Sequence, residues 1–212
     1  MMVEAAATVF IVDDDPHVRG AIQRMLKSAG LRSESFGTAQ EFMRRELPDG
    51  PSCLVLDVRL SGPSGLDLQR ELRKAGVEVP IVFLTGHGDI PMTVEAMKSG
   101  AVEFLTKPFK RDVLLRAIEQ ALDHDRSKRQ QWIEIADLRR RYDSLTTRER
   151  EVMGLVTSGL LNKQIASELG TSEITVKIQP GNAMHKMQAR SVAELVKMSE
   201  LLKRSLIANT QL

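Results

Sequence analysis

At 212 residues, 42% apolar and 27% charged, the chain has room for one large or two compact domains, and its ordinary globular composition excludes a disordered, collagen-like or low-complexity protein. Its single cysteine, Cys53, excludes an internal disulfide and any zinc site built from two or four cysteines. The net charge of +2 divides unevenly: residues 1–124 carry 15 Lys and Arg against 18 Asp and Glu, whereas residues 125–212 carry 15 against 10, so the second part is the one suited to a polyanion.

In chain order, Thr8–Val12 reads as a buried strand, Val18–Ala29 as a helix, Ser33–Phe36 as a weaker strand and Ser52–Asp57 as a buried strand. Ser64–Ala75 reads as a helix, Ile81–Thr85 as a strand, Pro91–Ser99 as a helix, Glu103–Thr106 as the last strand and Arg111–Leu122 as a helix. Five strands interleaved with these four helices predict an α/β fold with a doubly wound, five-stranded parallel sheet, whose ligands bind outside the carboxyl ends of the strands. Residues 124–144 are charged and hold no Gly or Pro, and a linker helix fits them. Ile135, Leu138, Tyr142 and Leu145 recur at helical spacing, which suits a solvated connector and a short dimer seam equally well.

From residue 145 onward only helical patterning is found. Thr146-Thr147-Arg148-Glu149 is a capping box that opens a helix ending at Gly159. Further helices follow at Lys163–Leu169, after Ser172, and from about Ser191 to Lys203. The expected domains are 1–123, a helical linker over 124–144, and a small all-α four-helix domain over 145–212. Apolar runs stay below the roughly 18 residues of a membrane helix and the start lacks a signal peptide's basic region, so a cytoplasmic protein with no membrane partner is expected.

The chemistry gathers at one sheet edge. The first strand ends in Asp13-Asp14-Asp15 and the third, in chain order, in Asp57. Close carboxylates repel unless a cation intervenes, and hard oxygen ligands suit Mg²⁺. The fourth strand ends in the hydroxyl of Thr85, and Lys107-Pro108 follows the fifth. Alone, the aspartates read as a turn with a helix cap and Thr85 as a strand end. Together with Lys107 they form a phosphoryl-transfer site, in which metal and ammonium neutralise charge on the moving group. His17 and His87 read as exposed loop residues.

The segments IVDDD, LVLDVR, FLTGHGD and LTKPF resemble the flavodoxin-like receiver domain of two-component response regulators, over about residues 7–122. The resemblance implies that Asp57 is phosphorylated by a sensor histidine kinase and that Asp14 binds Mg²⁺ directly and Asp13 through water. It also implies that the Arg59 backbone carbonyl completes the metal site, with Thr85 and Phe104 as switch residues and Lys107 as the phosphate-binding cation at a cis Lys107-Pro108 bond. Leu60-Ser61-Gly62-Pro63 departs from the Met-Pro-Gly loop usual in receivers.

In the second part, Ala166, Gly170 and Val176 stand at positions 5, 9 and 15 of a helix-turn-helix pattern opening at Asn162. Over LTTREREVMGLVTSGLLNKQIASELGTSEITVK the chain resembles the four-helix DNA-binding domain of the FixJ/NarL (LuxR-type) response regulators. The resemblance implies a recognition helix from Glu173, with Lys177, Ile178, Gly181 and Asn182 facing bases and Asn162, Lys163, Thr171, Thr175 and Lys186 contacting phosphates. It makes the last helix, with Val192, Leu195, Val196, Ser199 and Leu202, a dimerisation helix. Promoter DNA, a homodimer formed on phosphorylation, and RNA polymerase are the further expected partners. The implied function is a transcription factor that catalyses no reaction beyond its own phosphorylation and dephosphorylation.

The recognition helix departs from the family's basic run. Gln179-Pro180-Gly181 stands there, and a mid-helix proline costs about 3 kcal/mol and a glycine roughly 1 kcal/mol. The alternative this raises is a receiver with impaired DNA binding, acting as a phosphate sink or protein-interaction partner.

Overall fold

The structure, a computed structural model, describes residues 6–86, 90–170 and 181–210, and the side chains of all of these except residues 90, 91, 162 and 206–210. It divides into two compact units, Met1–Arg129 and Gln130–Leu212.

In the first unit β1 (Thr8–Val12), α1 (Pro16–Ser28), β2 (Arg32–Phe36), α2 (Ala39–Met43), β3 (Ser52–Asp57), α3 (Gly65–Lys74), β4 (Ile81–Thr85), α4 (Ile90–Lys98), β5 (Glu103–Thr106) and α5 (Arg111–Asp143) follow in chain order. The strands form one parallel sheet in the order β2-β1-β3-β4-β5. The order reverses between β1 and β3, the point at which doubly wound sheets leave a crevice beyond the strand ends.

Side chains alternate between the two sheet faces along each strand. Val9, Ile11, Cys53, Val55, Val82 and Leu84 pack with Ile22 and Leu26 of α1 and Leu114 and Ile118 of α5. Phe10, Val12, Leu54, Leu56 and Phe83 pack with Phe42 of α2, Leu68 and Leu72 of α3 and Ala96 of α4. Because both faces are covered, β1, β3 and β4 are buried throughout, which is why they read as continuous apolar runs.

α2 is too short to show a helical period. Its signal is local: Thr38 caps it by accepting the Glu41 N–H, and the Glu41 carboxylate takes the Gly37 N–H at 2.8 Å. The predicted linker is also not a separate helix, since α5 continues unbroken to Asp143. Inside the first unit that continuation is fastened by Asp125, 3% exposed, which accepts the Ser52 N–H at 2.8 Å and the Arg129 Nε–H at 2.6 Å. Arg129 Nη1 donates to the Asp49 carbonyl at 3.0 Å.

The second unit comprises the end of α5, then α6 (Thr147–Thr157), α7 (Asn162–Glu168), α8 (described over residues 181–187) and α9 (Val192–Thr210). The expected capping box opens α6, with Thr146 and Glu149 exchanging bonds. Gly159 and Gly170 both adopt positive φ, 83° and 61°, at the ends of α6 and α7. Leu138, Tyr142 and Leu145 join Met153, Ala183, Met187, Leu195 and Leu202 in one core. Three of the four spaced apolar residues of the linker, Leu138, Tyr142 and Leu145, therefore serve the second unit's own interior.

Candidate functional site

β1 and β3 deliver their acids side by side because Val12 pairs in register with Leu56, so Asp13 and Asp57 leave the sheet together. Asp13 is 1% exposed and Asp57 7%, whereas Asp14 is exposed, and one carboxylate oxygen from each lies within 4.8 Å of the others. Asp15 turns away to cap α1, accepting the His17 N–H at 2.7 Å, and Pro16 follows in the first turn. His17 is exposed, and His87 lies outside the described residues.

The Lys107 ammonium closes the cluster, donating to Asp13 Oδ2 and Asp57 Oδ2 at 2.7 Å each. Its backbone N–H donates to the Thr85 carbonyl at 2.6 Å, and the Lys107-Pro108 bond is cis. Asp13 Oδ1 accepts the Asp15 N–H at 2.9 Å and Asp57 Oδ1 the Arg59 N–H at 3.2 Å. Burial pushes the Asp13 carboxyl above its ordinary range despite the bonds from Lys107 and Asp15. Burial alone would lower Lys107, but its bonds to both aspartates and their charges raise it.

Thr85 ends β4, fully buried and in register with Thr106, one residue before Lys107. Phe104 is half-buried on β5, its ring 6.1 Å from Phe83. Sequence reading missed Gly65. A Cβ there would stand 2.3 Å from the Asp57 carbonyl oxygen, because the Gly65 N–H returns to the Val58 carbonyl at 2.9 Å and draws the start of α3 against the end of β3. The glycine after Ser64 was the available signal.

In the second unit Lys163 is exposed on α7, whose first residue is Asn162, and Gly181 and Asn182 are exposed at the start of the described α8. Thr171, Thr175, Lys177, Ile178 and Pro180 lie outside the described residues. Lys186 is engaged within the protein, its Nζ donating to Glu149 Oε2 at 2.7 Å. That oxygen also takes the Thr146 N–H at 2.8 Å and hydroxyl at 3.1 Å. The capping role of Glu149 was legible from its spacing. Its pairing with a lysine 37 residues away carries no local signal.

Two family models match the chain: the response regulator receiver domain over residues 9–119 and the bacterial regulatory proteins of the luxR family over residues 143–199. Nodulation protein W of Bradyrhizobium diazoefficiens is 52% identical over 196 residues, covering 92% of this chain and 86% of its own. Transcriptional regulatory protein FixJ of Azorhizobium caulinodans is 39% identical over 193 residues, covering 91% and 92%. The solved structure of the response regulator StyR aligns with a TM-score of 0.81 at 48% identity, over 92% of this chain and 99% of that one. A receiver domain implies a histidine-kinase partner and a luxR-family domain implies DNA binding. Among the described residues no helix is long and apolar enough to cross a membrane. With a doubly wound sheet, an acidic pocket closed by a lysine and a helical second unit matched by these relatives over nearly the whole chain, the protein belongs to the FixJ/NarL-type response regulators, transcriptional regulators that join a receiver to a LuxR-type DNA-binding domain.

Proposed function

We propose that Asp57 is the phosphoacceptor of this regulator. The observation that carries the reading is the Lys107 ammonium held 2.7 Å from both Asp13 and Asp57, at a strand edge that also presents Asp14 and Thr85. A carboxylate oxygen of Asp57 attacks the phosphorus of an N-phosphorylated histidine on the kinase. The P–N bond breaks, and the electron pair leaves with the imidazole. Lys107 stabilises the charge on the transferring group and then the acyl phosphate.

Three carboxylates against one ammonium leave an excess of negative charge that suits a divalent cation with oxygen ligands. Asp13, Asp14, Asp57 and the Arg59 carbonyl would hold Mg²⁺, which when bound offsets charge on the phosphoryl oxygens. After transfer, Thr85 turns toward the phosphoryl oxygens and Phe104 moves inward, reshaping the α4-β5-α5 face toward dimerisation. The division of labour is a receiver over 1–123, a linker over 124–144 and a DNA reader over 145–212. Asn162, Lys163, Thr171, Thr175, Lys177, Ile178, Gly181 and Asn182 supply DNA contacts, and RNA polymerase is the partner at the promoter.

Purified protein given acetyl phosphate and Mg²⁺ should gain one phosphoryl group, and Asp57→Asn should gain none. Undiminished labelling of that variant in intact-mass spectra would overturn the assignment.

A further inference from the structure

α8 meets the rest of its unit in two ways. Ala183 and Met187, both fully buried, pack into the core formed with Leu138, Leu145, Met153 and Leu195. Two charged side chains tie it as well: Lys186 reaches Glu149 at the start of α6, and Arg141 Nη1, itself held by Asp137, donates to the Met187 carbonyl at 3.3 Å. The helix ends immediately afterwards at Gln188, a non-glycine residue with φ 57°.

A lysine that contacts a DNA phosphate offers an ammonium whose counterions are released on binding, and each such contact steepens the log–log salt dependence of affinity by about 0.9. Lys186 instead directs its ammonium to Glu149, with its side chain 36% exposed. Its partner Glu149 is 7% exposed, and Lys186 together with the Thr146 N–H holds the Glu149 carboxyl below its usual range. Transferring the ammonium to a phosphate would leave the Glu149 carboxylate holding the Thr146 N–H and hydroxyl without its cation. Glu149 is also fixed by the capping box of α6, so the pair links the first turn of one helix to the last turn of another.

We propose that Lys186 and Glu149 are positioning residues for DNA reading: their ion pair fixes α8 against α6 so that its exposed residues Gly181 and Asn182 are presented to base edges, and Lys186 makes no phosphate contact. The proposal rests on the reading that α8 belongs to the DNA-recognition helix. It replaces the phosphate role expected of Lys186 from family resemblance.

The test uses the full chain with beryllofluoride and Mg²⁺, a duplex enriched from a random-sequence pool by the unsubstituted protein, and a scrambled duplex of equal length. Lys186→Met and Glu149→Gln should each weaken binding to the enriched duplex about tenfold, an ordinary size for coupling between contacting residues. Both should leave the scrambled duplex and the salt slope unchanged. The double variant should lose no more than either single variant, and Lys186→Arg should keep the selectivity. Gln serves in capping boxes as Glu does, so Glu149→Gln removes the charge and keeps the fold of α6. A salt slope lower by about 0.9 in Lys186→Met, with both duplexes weakened alike, would make Lys186 a phosphate contact and overturn the proposal. Unchanged selectivity in both single variants would overturn it equally. If the unsubstituted protein enriches no sequence, the DNA-reading assignment of α8 fails, and the proposal with it.

Discussion

Asp13 is nearly inaccessible to solvent and faces two further carboxylates, and among the described residues Lys107 is the cation bonded to its carboxylate. Its folded carboxyl is raised above the ordinary value of 3.8, so the native state holds that proton more tightly than the unfolded chain does. Without a divalent ion, Asp13 therefore takes stability away as pH rises from 3.8 through its folded value, and the loss persists at neutrality. Other carboxylates act in the opposite sense: Ser64 and then Arg70 hold Asp67 down to about 2, and its contribution fades only as pH falls toward that value. The informative quantity is the difference between the protein and Asp13→Asn. In denaturant melts with a chelator, the stability gained by the substitution should grow from pH 4 to neutrality. Mg²⁺ at 100 times its dissociation constant should stabilise the unsubstituted protein by about 2.7 kcal/mol and the variant far less. A gap independent of pH and of Mg²⁺ would disprove this account. Cys53, read from sequence as evidence against a disulfide and a cysteine zinc site, lies wholly inside β3, where burial and then Asp125 push its thiol up to about 12, so it is not a reactive group.

Among the elements, the loop between β3 and α3 is the most tightly specified. Leu60-Ser61-Gly62-Pro63 departs from the usual receiver loop, yet it closes through Gly62 at φ 141° and a Ser64–Asp67 capping box. Gly65 then leaves no room for a side chain against the Asp57 carbonyl. Gly65→Ala should cost about 1–3 kcal/mol, as overpacking usually does, and slow labelling by acetyl phosphate because the displaced backbone carries Asp57. Unaltered stability and labelling rate would show that the loop yields freely. β1, β3 and β4 were legible to the residue because buried parallel strands are largely apolar runs with chemistry at their ends, and the partly buried β5 because Phe104 and Leu105 stand directly before Thr106 and Lys107-Pro108. α2 was not, because five residues show no helical period. Nor was the use of Leu138, Tyr142 and Leu145, because a spacing of three and four marks an apolar face without saying which core receives it.

For the whole molecule, the proposed activation passes from the acidic pocket to the surface of α4, β5 and α5. Val94 and Met97 are each 43% exposed on α4, and Phe104 is half-buried on β5 beside Phe83. Exposed apolar side chains on α4, which packs against β5, suit the switchable self-association face proposed above. Beryllofluoride with Mg²⁺ should therefore move the protein toward dimers in sedimentation velocity, and Phe104→Ala should blunt that response. An identical mass distribution with and without the mimic would refute this route of activation.

The Asp125 clasp decides where the chain can be divided. A receiver fragment ending at residue 123 loses both Asp125 and Arg129, so the Ser52 N–H, at the opposite end of the strand that carries Asp57, is left without its acceptor. A fragment ending at Arg129 keeps that strand fastened at its base. The complementary piece is best begun at Gln130, because a start at residue 145 removes Leu138 and Tyr142 from its interior and Arg141 from the end of α8. The helix expected to be a spacer thus supplies structural parts to both halves, and lengthening or shortening it would change what each half is made of.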